Sequence, residues 1–153
     1  MKNASIYRQV LHTLIAVTAL VSAQVFGQEP ALALWLSTER PIAAGQSYWL
    51  EELTSMEIRD AIASGTSTVI IITGGIEENG PYLSTGKHNL ILQAACPAIA
   101  EALGNALCAP TVKFVPEGNI DPPSGAIKYP GSISVSDETY EALLTDIASS
   151  LKQ

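Results

Sequence analysis

From Trp49 to Leu151 the apolar positions fall into short runs separated by polar stretches rich in glycine and proline. Thr54 followed by Glu57 has the form of a capping box. Met56, Ile58, Ala61 and Ile62 then recur at helical spacing, so a helix is expected to close at Gly65 as its C′ residue. Residues 67–73 are apolar and β-branched without alternation, which predicts a strand buried on both faces, as in a parallel sheet covered by helices. After a polar stretch, residues 89–103 predict an amphipathic helix that ends at Gly104. Pro97 falls inside it, either bending the helix or starting a new turn. Residues 107–115 predict a second strand, with Pro110 arguing for an edge or a bulge. The three prolines and two glycines of residues 116–128 predict a loop. A turn at Tyr129-Pro130-Gly131 leads to a short strand at 132–135, and Ser136 and Asp137 can cap a last helix over 138–151. This alternation predicts a layered α/β/α fold with a mainly parallel sheet.

The N-terminal pattern is different. Lys2 and Arg8 precede an apolar run from Val10 to Ala23, and small residues follow, which is the form of an export signal over residues 1–27. Val21-Ser22-Ala23 and Val25-Phe26-Gly27 are alternative cleavage sites. The run of about 14 residues is short of the roughly 20 that span a bilayer, so no stable membrane association is expected after cleavage. A periplasmic or secreted protein follows. Residues 28–48 read as an extended lead-in, and 49–153 as a single domain.

Charge narrows the partners. Without Lys2 and Arg8 the chain keeps 6 of its 8 basic residues against 15 acidic ones. That balance repels nucleic acid and anionic lipid, so neither is expected as a partner. Cys96 and Cys108 lie on either side of a helix end. In an exported chain a disulfide between them is permitted, and buried free thiols are the alternative.

The candidate chemistry lies in residues 74–89, GGIEENGPYLSTGKHN, between the first strand and the helix after it. Loops at the carboxyl ends of parallel strands are where α/β sheets place ligands. Glu77, Glu78 and His88 on a glycine-punctuated loop offer oxygen and nitrogen donors suited to a divalent metal. The alternative is that Glu77 caps backbone N–H groups and His88 merely opens the helix.

The string Glu77-Glu78-Asn79-Gly80-Pro81-Tyr82-Leu83, with Gly86 and His88 after it, resembles the creatininase (creatinine amidohydrolase) family, whose loop runs E-Q-H-G-P-H-L-P-x-x-T-D. Trp49-Leu50-Glu51-Glu52-Leu53-Thr54 and Tyr129-Pro130-Gly131-Ser132-Ile133-Ser134 match in order and spacing. The resemblance implies a metal-dependent amidohydrolase in which metal-activated water attacks the C–N bond of a small amide or cyclic amide. It implies zinc or manganese as the cofactor, Glu77 and His88 as metal ligands, and Asn79 at a further ligand position; Glu78 and Asp121 are nearby carboxylates able to substitute. Tyr82 and Tyr129 would line the pocket for a small-molecule substrate. Two positions depart from the pattern, since Asn79 stands where the family has His and His88 where it has Asp. An imidazole has one lone pair and cannot bridge two cations as a carboxylate does. The family's remaining ligands come from an N-G-H-x-x-N-like segment beyond the last helix, so the chain is expected to be an incomplete, N-terminal portion. Its sheet edge and last helix would then be poorly covered, and self-association into a homo-oligomer is expected. A non-catalytic remnant or binding module is the alternative function.

Overall fold

The computed structural model describes residues 31–152; the expected signal, residues 1–27, lies outside them. The chain divides at Ala43 into two compact units. In the first, residues 31–37 are helical rather than extended as expected for the lead-in. The sequence there, Ala-Leu-Ala-Leu-Trp-Leu-Ser, consists mainly of strong helix formers.

The second unit begins with a turn of 3-10 helix, Leu50–Glu52, and then helix α1, Ser55–Ala63. The capping box is formed: Thr54 N–H donates to Glu57 Oε2 (2.7 Å) and Glu57 N–H donates to Thr54 Oγ1 (3.3 Å). The same Glu57 carboxylate also accepts from the backbone of Gly45 and is 9% exposed. Gly65 follows the helix with φ 109°, a left-handed value that favours glycine.

Strand β1 (Thr68–Ile70) pairs in parallel with strand β2 (Ala106–Cys108) in the register Thr68 to Ala106. Helix α2 (Lys87–Leu103) makes the crossover between them. Both strands are shorter than the apolar runs predict. Pro110 has no N–H to give to the ladder, so regular pairing stops there and resumes as one parallel bridge, Thr73 with Val112. On its other side β2 accepts a bridge between Trp49 and Cys108, whose N–H donates to Tyr48 O (2.7 Å). β1 is only half-buried, whereas β2 is buried throughout. Full burial, expected for the first strand, belongs to the second, which has a partner along each edge and α2 packed against it through Cys96.

Helix α2 runs through Pro97 and ends on Gly104 in the left-handed conformation (φ 76°). Ile72, Cys96, Ala100, Ala106 and Cys108 form the core, with Trp49, Ile70 and Leu92 against it. Cys96 and Cys108 form a disulfide (Cα–Cα 6.1 Å) that joins α2 to β2 at the centre of this cluster. The expected strand at 132–135 is reduced to one antiparallel bridge, Ile76 with Ile133. A second 3-10 turn, Gly125–Lys128, ends the proline-rich loop, and helix α3, Asp137–Ser150, is capped by Ser136.

Candidate functional site

Beyond the Thr73–Val112 bridge the chain leaves the sheet and presses against the first turn of α2. A Cβ at Gly74 would overlap Asn89 Oδ1, so only glycine allows this approach. Asn89 is 8% exposed, accepts from Gly75 N–H (3.4 Å) and donates to Gly75 O (2.9 Å). One side chain thus ties the strand exit to the helix start. The loop between them folds back, with Glu77 N–H donating to Thr85 O (3.0 Å). This brings Glu77 Oε1 to 2.7 Å from His88 Nε2, with both side chains partly exposed. Two of the sequence candidates therefore meet.

The other candidates face elsewhere. Glu78 turns its carboxylate onto Gly80 N–H (2.6 Å), while its own N–H donates to Ser132 Oγ (3.0 Å). Asn79 donates from Nδ2 to Glu77 O (2.9 Å) and more distantly to Ser84 O (3.4 Å). Both polar groups are spent on loop backbone. Tyr82 is 96% exposed and Tyr129 52% exposed. Asp121 lies in a separate cavity of about 370 Å³ beside the start of α3, lined also by Pro116, Ile120 and Val135.

A further carboxyl that bears on Glu77 is Glu117, which the sequence reading passed over. The Glu117 and Glu77 carboxyls bear on each other's titration, and Glu77 Oε1 lies 2.7 Å from His88 Nε2. Burial pushes the Glu117 carboxyl up to about 7, helped by the hydrogen bond to Glu77 and the charge there. The Glu77 carboxyl is held below its ordinary range, first by the Glu117 hydrogen bond and then by His88. Of the two acids, Glu77 ionises first as pH rises and Glu117 later. The only sequence signal for Glu117 was its place after the second parallel strand, the same position that marks the Glu77 loop after the first.

Among the described residues no three His, Cys, Asp or Glu side chains are grouped to hold an ion. Glu77 and His88 bring two donor atoms together and engage them with each other. As arranged, these residues do not fit a complete metal centre.

A family model for creatininase, creatinine amidohydrolase, matches residues 51–153. A crystal structure of creatinine amidohydrolase is 25% identical over 70% of this chain and 40% of its own, with TM-score 0.61. A mutant creatininase of Zn–Zn type is 25% identical over 67% of this chain and 39% of its own, with TM-score 0.59. A creatininase structure described as the Mn form gives the same identity and coverage, with TM-score 0.58. The chain spans about 40% of the length of these structures. No curated protein matches it.

Proposed function

The chain belongs to the creatininase (creatinine amidohydrolase) family, and on that premise we propose that it supplies the Glu77-bearing portion of an exported hydrolase for small amides or cyclic amides, acting on a C–N bond. The observation that carries this reading is the Glu77–His88 contact (2.7 Å), made by residues far apart in the loop. Gly80 (φ 85°) and the Gly74–Asn89 approach fold the loop so that they meet. Hydrolysis of an amide needs a group that takes a proton from water and one that returns it to the leaving nitrogen. A carboxylate beside an imidazole can hold and pass protons in this way. Zinc or manganese, named for the structural neighbours, is the cation proposed for the pair. Two protein donors hold such an ion more weakly than three or four.

Titration calorimetry with zinc and manganese chlorides tests the pair. Weak binding is expected, lost in Glu77→Ala and in His88→Ala, and unchanged binding in either variant would move the ligands elsewhere. Hydrolysis of small amides and lactams by this chain alone is expected to be negligible. Robust turnover would mean that the centre has been misplaced. Export predicts a mature N-terminus near Gln24 or Gln28, and an intact Met1 on protein recovered from the cytoplasm would count against it. A second reading, a non-catalytic binding module, is favoured by one observation: no third donor is grouped with the pair among the described residues. Tight binding of a small amide without metal or turnover would decide for it.

A further inference from the structure

Helix α2 turns one side to the core and leaves the opposite side bare. Cys96 and Ala100 are fully buried and Asn89 is 8% exposed; at helical spacing these three share one face. The face opposite carries Leu90, Ile91, Ala94, Ala98 and Ala102, all of them exposed. Leu90 and Ile91 keep 60% and 57% of their surface open. A surface helix ordinarily places charged and polar residues on that side. Here the only charges are Lys87 in the first turn and Glu101 in the last. They lie roughly four turns apart, which puts both on one stripe with Ala94 midway between them. Among the described residues neither is in an ion pair.

We propose that this face docks on the same face of a second copy of the chain, the two α2 helices running antiparallel about a two-fold axis at Ala94. Lys87 of each copy then meets Glu101 of the other, so that both unpaired charges find partners. Leu90 comes opposite Ala98, a large side chain against a small one, and Ala94 faces its own counterpart. A parallel pair would set lysine against lysine and glutamate against glutamate. The match of one end of the stripe to the other is what a self-complementary, two-fold interface requires, and it singles out a second copy as the occupant. Burial of Leu90 and Ile91 supplies the attraction. The two exposed ion pairs fix direction and register more than affinity. Such a dimer is independent of what Glu77 and His88 hold.

Sedimentation equilibrium of the full chain tests this face against every other. Wild type should behave as a dimer that dissociates on dilution. Ala94→Glu sets two carboxylates together on the axis and should raise the dissociation constant about tenfold or more, with the circular dichroism spectrum unchanged. Glu101→Lys should weaken the dimer by opposing two lysines. Glu101→Lys combined with Lys87→Glu should restore it, because the pairs re-form with their signs exchanged. Cross-linking reads the register. With oxidised glutathione, Ala94→Cys should form a disulfide with its counterpart across the axis, where two Cα atoms come within bridging distance. Ala63→Cys, exposed on α1, should not. Cys96 and Cys108 are paired and fully buried, so they do not compete. A monomer at all concentrations would leave the face to a different occupant and overturn the proposal. Association untouched by Ala94→Glu, no recovery in the charge-exchanged variant, or equal cross-linking at both positions would overturn it as well. If Ala94→Glu fails to fold, the charge exchange and the Ala94→Cys cross-link decide.

Discussion

Glu77 meets His88 at 2.7 Å, and the Glu77 and Glu117 carboxyls are shifted in opposite directions from their ordinary value of 4.5. In the metal-free protein this arrangement has a pH signature. The Glu117 carboxyl is raised to about 7 on folding, by burial first and by Glu77 second. The folded chain therefore binds that proton more tightly than the unfolded chain does. Its contribution to stability is full below 4.5 and is lost as pH rises toward about 7. Glu77 shifts the other way, so its contribution is present above its ordinary value of 4.5 and lost as pH falls. The unfolding midpoint should decline with rising pH between these limits, and Glu117→Gln should flatten that decline. Thermal scans across the range check it, and a slope that persists in Glu117→Gln would assign it to another group. Glu77 and His88 were legible in the sequence because one glycine-rich loop carries both. Glu117 was not, since its effect on Glu77 depends on how two loops after two different strands come to lie side by side.

The crossover from β1 through α2 is held to the site by two adjacent glycines and Asn89. In Gly74→Ala the new methyl would displace the Asn89 amide, which makes two hydrogen bonds to Gly75. The expected loss is roughly 1–3 kcal/mol, the range for a buried polar group deprived of its partner. A loosened His88, seen in ring ¹⁵N–¹H correlation spectra, should accompany it. Denaturant unfolding of the variant measures the loss, and an unchanged midpoint would show that Asn89 finds another partner. At this scale the sequence was a good guide where signals are local. Thr54 with Glu57 fixed the start of α1, Gly65 and Gly104 the helix ends, and Ser136 the start of α3. Strand length was not legible, because a residue counts as strand only if another chain segment offers it a partner. Pro110 withdrew that partner over several positions. The pairing of Cys96 with Cys108 was undecidable for a similar reason, as spacing alone does not say that their Cα atoms come to 6.1 Å.

Taken whole, the domain leaves much apolar surface uncovered. On α2, Leu90 is 60% and Ile91 57% exposed, with Ile99 and Leu103 close to half exposed. A groove of about 440 Å³ between α1 and the open side of β1, lined by Ile58, Ile62, Val69 and Leu107, adds to it. A two-stranded parallel sheet is ordinarily covered on both faces, so self-association is the expected outcome in dilute buffer. Sedimentation velocity checks this: a species heavier than one chain is expected, and a monomer at all concentrations would show that the surface is tolerated. The layered parallel architecture was legible in the order of apolar runs, because each run is bounded by its own turn residues. The amount of surface left bare was not, since it depends on how many strands the sheet has. The bridge of Trp49 to Cys108 has one more consequence. β2 is hydrogen-bonded along both edges and covalently joined to α2, while among the described residues β1 is bonded along one edge. Amide exchange should therefore be slowest at Leu107 and Cys108 and faster along β1. Partial opening would then peel β1 and the Glu77 loop away from a covalently closed remainder, so the site could be lost and regained without the molecule unfolding.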